Sequence, residues 1–319
     1  MHQLRVGIMG LGSIFHRVMT DLPNATHCKL TALAARDAAR ARAEAEEYGV
    51  PLSFGSYEEL VQCPEVDLVY IATPHNLHHA HTLLALGHKK HVLCEKAFAM
   101  NPREAGEMIA RARQEGLFLM EAMWTRFLPA MGRLKEMLDS GELGKIRHID
   151  ANFSYAYPYT PASRVYAPAL GGGALMDVGV YPLSVCCMLL GRPERWQVSG
   201  VLAPSGVDRR VCMQLGFGET TCQCMAGVDV EGDSRMRIFT TRGLVEVPDF
   251  WHATSFTFAG KEFAFPPETE GHHHQFEHAA ACIARGETES PVMPLDETAF
   301  LMDLIFRMRR EMGVVFPGD

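Results

Sequence analysis

Leu4-Arg5-Val6-Gly7-Ile8-Met9-Gly10-Leu11-Gly12-Ser13-Ile14-Phe15 is the stretch on which the fold turns. Leu4 to Met9 read as a buried strand, since a parallel strand covered on both faces is a nearly continuous apolar run. Gly10-Leu11-Gly12 follows as a turn, and a helical stretch then runs toward Leu22. Strand, glycine turn and helix in that order form the fingerprint of a dinucleotide site. Gly10 permits the tight turn, and Gly12 removes the Cβ that would keep a pyrophosphate off the backbone. Ser13 and Ile14 open the helix, whose free N–H groups and partial positive charge suit phosphate. The third fingerprint position holds Phe15 in place of Gly or Ala, which should push helix and strand apart or turn the ring outward.

Moving outward, a second strand covers Lys29 to Ala35. An NAD site places an acidic residue at this strand end, about 20 residues after the glycines. Here Ala35 stands 23 positions after Gly12, and Arg36 follows. An arginine pairs with a 2′-phosphate through two parallel hydrogen bonds, so the residues favour NADP, with NAD as the alternative. The plainer reading has Arg36 merely starting the helix Ala38 to Tyr48. Asp67 to Ala72 is a further buried strand. Thr73-Pro74 ends it and leaves Thr73 facing the crevice beyond the strand ends. His75, His78, His79 and His81 come next, but no carboxylate or cysteine completes a metal set. His91 to Cys94 form another short strand, closed by Glu95-Lys96, which places a lysine where open α/β sheets bind ligands. Asn101-Pro102-Arg103-Glu104 supplies an N-cap, a proline at the first helical position and an acidic first turn, and that helix ends at Gly116. Leu117 to Met120 is the last strand of this series. Strands alternating with helices up to about residue 122 imply a doubly wound parallel sheet.

Composition narrows the possible partners. The 319 residues carry a net charge of -8, with no basic footprint for nucleic acid. No apolar run approaches the roughly 18 residues that span a bilayer. The start at Met1-His2-Gln3 has no signal-peptide layout. Nine scattered cysteines without a CxxC pair fit reduced thiols in a cytoplasm.

Past residue 122 the pattern changes. Phe127 to Ser140 reads as a helix. Alternating runs at Ile149–Tyr157, Trp196–Val201, Val211–Phe217, Thr221–Ala226, Arg235–Thr240, Leu244–Val247 and Thr254–Phe258 imply a mostly antiparallel sheet. Cys222 and Cys224 share one face of a strand. Gly171-Gly172-Gly173 opens an apolar helix, Ala174 to Leu190. Two more helices fit His273 to Arg285 and Asp296 to Arg310. The tract His272-His273-His274 reads as a solvated helix start. A sheet with few helices to cover both faces leaves an apolar face for a partner, which points to a homodimer or larger homo-oligomer.

Taken together, the glycine turn, Ala72-Thr73-Pro74 with Asn76 and His78, Cys94-Glu95-Lys96, and Gly171 to Tyr181 resemble the glucose–fructose oxidoreductase / inositol dehydrogenase family (GFO/IDH/MOCA). Met120 to Pro129 is similar to the branch of that family holding dihydrodiol and aldose dehydrogenases. The resemblance covers essentially the whole chain. In that family proline usually follows the Glu-Lys pair, often as a cis-proline turn, where this chain has Ala97. The resemblance implies an α/β chain. Residues 1–122 would form a Rossmann domain, and residues 123–319 an α/β substrate and oligomerisation domain with a large, mostly antiparallel open sheet. It also implies hydride transfer between a nicotinamide and a carbinol carbon of a sugar, polyol or vicinal diol. Lys96, Asp177 and Tyr181 map onto the family's catalytic positions, and Gly10, Gly12, Ser13, Ile14, Arg36, Thr73, Pro74, His78, Glu95 and Lys96 make up the cofactor set.

The residues support that chemistry directly. Asp177 and Tyr181 are four apart, on one face of a helix. A phenol has an ordinary pKa near ~10, and a neighbouring ammonium such as Lys96 favours its phenolate. Tyr181 then takes the substrate hydroxyl proton while Lys96 holds the developing alkoxide. Asp177 orients Lys96 or a substrate hydroxyl. Trp124, Arg126, Phe127 and Trp251 are the candidate pocket walls. A rival reading makes the chain a non-catalytic dinucleotide-binding redox sensor. It predicts that the glycine turn survives while the acid/base set does not, and here both are present.

Overall fold

The computed structural model describes residues 3–266 and 269–319, so the reading of Met1 and His2 lies outside the described residues. Residues 3–124 and 269–302 form one compact unit, and residues 125–266 and 303–319 another.

In the first unit the chain runs β1 (Leu4–Met9), α1 (Ser13–Asp21), β2 (Cys28–Ala34), α2 (Ala38–Tyr48), β3 (Leu52–Phe54), α3 (Tyr57–Gln62), β4 (Leu68–Ile71), α4 (His75–Gly87), β5 (His91–Glu95), α5 (Pro102–Glu115) and β6 (Leu119–Ala122). The six strands pair in the order β3-β2-β1-β4-β5-β6, all parallel. The order reverses between β1 and β4, the switch point at which such sheets bind ligands. Local chemistry sets the helix ends. Asn101 Oδ1 accepts the Glu104 N–H at 3.0 Å, Pro102 takes the first position of α5, and Gly116 closes it at φ +63°. Asp37 caps α2 by accepting the N–H groups of Ala39 and Arg40. The three-residue strand β3 was too short to show as a hydrophobic pattern.

The second unit holds α6 (Pro129–Asp139) and β7 (Ile146–Ser154). A π-helical turn (Leu175–Gly179) then leads into α7 (Val180–Leu190). The strands β8 (Arg195–Leu202), β9 (Asp208–Phe217), β10 (Thr220–Gly227), β11 (Met236–Thr240), β12 (Gly243–Val247), β13 (Ser255–Phe258) and β14 (Lys261–Ala264) complete it. Its sheet runs β14-β13-β12-β11-β7-β10-β9-β8, antiparallel except for the β7–β10 pair. Two more helices follow, α8 (His273–Ala284) and α9 (Leu295–Glu311). A single cut at residue 122 assigned α8 to the second domain, yet α8 packs with β2 in the first unit.

The two faces of the eight-stranded sheet differ. One is covered by α7 and buries Ile149, Leu215, Cys222, Ile238 and Val245, residues in register across neighbouring strands. On the other, Gln197, Gln214, Gln223, Asp150, Arg237 and Glu246 form one polar row, with Arg237 paired to Asp150. That corrects the expectation of an apolar open face. Among the described residues, the large apolar side chains exposed on this sheet are Val201, Leu202, Phe239 and Leu244.

The expectation that no run is long and apolar enough to cross a membrane also needs correction. Pro168–Leu190 passes by length and composition, with a mean hydropathy of 1.7. But 83% of that window is buried inside the protein, so it is the core helix of its unit.

Candidate active site

In the first unit the glycine turn is shaped by its neighbours. Gly10 has φ +98°, and a Cβ there would stand 2.8 Å from Thr73 Cγ2 and 3.0 Å from the Ala72 carbonyl carbon. Only glycine fits. At Gly12 a Cβ would meet nothing closer than Ala72 O at 3.9 Å. Gly12 is also the N-cap of α1 and offers no capping side chain, so the first N–H groups of α1 are open to an anion. Ser13 is exposed and Ile14 half-buried at this end. A dinucleotide pyrophosphate fits this cradle. Phe15 does not turn outward. It is fully buried, with its ring edge-on to Tyr48 at 5.6 Å, so α2 supplies the room that a small residue would have saved.

Arg36 lies beyond β2, exposed, and outside α2 because Asp37 is the cap. Arg40 hydrogen-bonds the Leu11 carbonyl, putting a second cation against the glycine turn that the sequence reading missed. Thr73 Oγ1 is paired with His81 Nδ1 at 3.0 Å, and Pro74 is the N-cap of α4. His78, expected among the cofactor contacts, is fully buried. Its ring nitrogens face the Ala97 and Thr73 carbonyls at 3.0 and 2.8 Å, so it ties the ends of β4 and β5 together. Burial lowers its pKa, against the pull of those carbonyls. The Ala97 N–H donates to His75 Nε2 at 3.3 Å, and the Lys96–Ala97 peptide is cis. Glu95 is buried, which raises its pKa. It accepts from the Tyr70 hydroxyl at 2.5 Å and from the Lys96 N–H at 3.2 Å. Lys96 itself is half-buried. His272 is not solvated: it is 1% exposed, stacked on Trp124 at 4.1 Å, and its N–H donates to Asp21 at 2.6 Å. That stacking buries Trp124 in the core of its unit.

In the second unit Asp177 sits in the π turn, a local widening frequent at functional sites, where the sequence suggested continuous α-helix. Its carboxylate is held from two sides. Arg164 Nη1 donates to Oδ1 at 2.8 Å, and the Tyr155 hydroxyl donates to Oδ2. Burial and then the Asp177 charge push the Tyr155 phenol well above its usual pKa, so it stays a donor. Asp177 likewise raises Arg164, so that partner stays charged. Tyr181, four residues on, is 6% exposed and edge-on to Phe153 at 5.2 Å. Phe153 stacks in parallel on Trp251 at 5.0 Å. Phe127 is half-buried. Arg126 is no open pocket wall. It is buried, and its Nε and Nη2 donate to the hydroxyl and carbonyl of Ser184 at 2.7 and 2.6 Å.

Lys96 therefore belongs to the first unit, and Asp177 and Tyr181 to the second. The sequence reading missed Tyr155, Arg164 and Phe153. Phe153, Tyr155 and Tyr157 alternate with small residues, a signal that was visible, whereas Arg164 lies in a loop with no pattern to mark it. Among the described residues, no three His, Cys, Asp or Glu side chains are grouped as metal ligands.

A parallel sheet of this order, with a bare glycine-flanked helix start at its switch point, defines a dinucleotide-binding α/β protein. Comparison makes the class specific. Residues 4–123 match the family model described as oxidoreductase family, NAD-binding Rossmann fold, and residues 131–246 match the GFO/IDH/MocA C-terminal domain. The chain belongs to the GFO/IDH/MocA oxidoreductase family, as its motifs implied. It is 37% identical to the trans-1,2-dihydrobenzene-1,2-diol dehydrogenase of Homo sapiens and 35% identical to that of Mus musculus, each match covering 99% of both chains. A solved aldose-aldose oxidoreductase from Caulobacter crescentus, complexed with glycerol, is 26% identical with a TM-score of 0.87, over 97% of this chain and 98% of that one. A 3-ketoreductase from Actinomadura kijaniata, in complex with NADP, is 25% identical with a TM-score of 0.84 over the same shares. The chain is thus an oxidoreductase with a nicotinamide-dinucleotide domain.

Proposed function

We propose that the enzyme interconverts a carbinol and a carbonyl carbon of a sugar, polyol or vicinal diol, with NADP preferred over NAD. The observation that carries this reading is the Asp177 carboxylate, fixed on both oxygens one helical turn before the Tyr181 phenol. An acceptor for one hydroxyl and an acid/base for its neighbour suit a vicinal pair. Tyr181 takes the proton from the hydroxyl being oxidised and returns it in the reverse direction. Lys96 carries the charge that develops on that oxygen. The nicotinamide supplies the hydride acceptor or donor when bound. Gly10, Gly12, Ser13 and Ile14 receive the pyrophosphate at the start of α1, and Arg36 the 2′-phosphate. The stacked Phe153 and Trp251 beside Tyr181 support an apolar wall for the carbon skeleton. The vicinal-diol and aldose enzymes among the relatives support the same substrate class.

The test is absorbance at the NADPH band with a panel of aldoses and vicinal diols. Turnover with at least one class is expected. Tight NADP binding with no turnover on any of them would instead support a redox sensor.

The reading extends to assembly and location. A homodimer through the eight-stranded sheet would join largely polar faces, with Phe239 and Leu244 as exposed apolar side chains among them. A mass near 35.4 kDa by light scattering at micromolar concentration would count against it. Nine cysteines, none in a disulfide among the described residues, support a reducing cytoplasm.

A further inference from the structure

The glycine triplet Gly171-Gly172-Gly173 is a junction of three segments. The Gly173 N–H donates to the Val165 carbonyl at 2.8 Å, which ties in the loop that carries Arg164. A Cβ on Gly172 would stand 2.7 Å from that same carbonyl oxygen, so only glycine admits the loop. The Asp177 N–H donates to the Gly173 carbonyl at 3.0 Å, starting the turn that presents the Asp177 carboxylate. The third segment is the beginning of β9, and it contributes Asp208. This side chain has no exposed surface. Its Oδ2 accepts the Leu175 N–H at 2.6 Å, two residues before Asp177. Its Oδ1 has no hydrogen-bond partner among the described residues and would stand 2.4 Å from a Cβ on Gly173, which has φ +118°.

A buried carboxyl with one oxygen unmatched carries a desolvation cost that its single hydrogen bond offsets only in part. What the carboxyl supplies is geometry. It fixes one backbone N–H at the first turn of the segment that carries Asp177 and Tyr181, where an α-helix start has no partner of its own. A hydrogen bond to a backbone N–H is directional, so it fixes the orientation of the turn where apolar packing is non-directional.

We propose that Asp208 is a positioning residue for the reaction, setting the Asp177 carboxylate and the Tyr181 phenol through Leu175 and Gly173. The proposal rests on the roles given to Asp177 and Tyr181 above. Asp208 touches neither substrate nor cofactor. Its removal therefore lowers the rate of the chemical step and leaves NADP affinity, which belongs to the first unit, unchanged.

The experiment measures single-turnover hydride transfer and the NADP dissociation constant for wild type, Asp208→Ala, Asp208→Ser and Asp208→Asn. Asn keeps an acceptor oxygen at the right reach for the Leu175 N–H; Ala has none, and Ser holds its oxygen too short. The expected result is a transfer rate at least about tenfold lower for Ala and Ser, unchanged NADP binding, and recovery to within about threefold of wild type for Asn. A loss of stability alone would not give that split, nor the rescue by Asn. Wild-type transfer rates in Ala or Ser overturn the proposal, as does an Asn variant no faster than Ala. If Ala fails to fold, Ser decides between the same two outcomes. Wild-type enzyme that turns over no substrate in the panel overturns the proposed reaction instead, so the two failures are distinguishable.

Discussion

The two units build their functional surfaces from different material. In the first, the proposed pyrophosphate cradle is backbone: the N–H groups at the start of α1, with Gly10 and Gly12 keeping side chains out of the way. In the second the working groups are side chains, and each is held by partners distant in sequence. Asp177 depends on Tyr155 and Arg164, and Tyr181 lies against Phe153. A backbone site needs only the right local conformation, so a short motif encodes it. A side-chain site needs several segments to converge, and its encoding is spread over the unit.

Substitutions at Tyr181 and at Arg36 should therefore separate the two roles, with chemistry failing at the first and cofactor affinity at the second. The largest effect is expected for Tyr181→Phe, which keeps the ring against Phe153 and removes only the phenol. The hydride-transfer rate should fall roughly 10²–10⁴-fold, as for loss of a general acid/base, with NADP affinity unchanged. A rate within about threefold of wild type would take tyrosine out of the role and make Asp177 the next candidate. Next in size is Arg36→Ala. The NADP dissociation constant should rise roughly tenfold, the loss of about one charged hydrogen-bonded contact, while that for NAD stays nearly constant. Equal losses for both cofactors would remove Arg36 from the 2′-phosphate.

The smallest effects concern pH, where one buried group from each unit should act in opposite ways. In the second unit, burial raises the Asp208 carboxyl from 3.8 to about 7. Between those values the folded chain holds a proton that the unfolded chain releases, so this group's contribution to stability falls as pH rises from about 4 to about 7. In the first unit, burial lowers His81 from 6.5 to about 4. There the unfolded chain binds the extra proton, so stability rises with pH over the interval from about 4 to 6.5. Either slope is at most about 1.4 kcal/mol per pH unit. Urea midpoints across this range should lose the falling component in Asp208→Asn and the rising component in His81→Gln. Parallel pH curves for both variants and wild type would contradict this opposition.

How much could be read in advance follows the same division. The ends of α2 and α5 were legible to the residue or nearly so, because Asp37, Asn101, Pro102 and Gly116 act on their own helices. Asp177 and Tyr181 stood out as a candidate pair because residues four apart on a helix share a face. Arg164 was not, since no local pattern marks a loop residue whose partner is fixed by tertiary packing. The misplacements have the same origin. His272 looks solvated in a polar tract but is covered by Trp124. Arg126 looks available for substrate but is spent on Ser184. Phe15 breaks a motif, and Tyr48 absorbs the break.

Alone, then, the sequence determined the parallel sheet in five of its six strands, its glycine turn, seven of the eight strands of the larger sheet and a set of candidate acid/base residues. Each of these follows from periodicity, caps and turn residues, which act within a few positions of the chain. The fold had to decide which strands of the larger sheet are neighbours, with β7 lying between β10 and β11 and parallel to the former. It also decided that α8 joins the first unit, and that Asp208 meets the start of the segment bearing Asp177. Register and long-range pairing are collective: each contact is chosen by competition among all the surfaces the chain could bury, and no single stretch records the outcome.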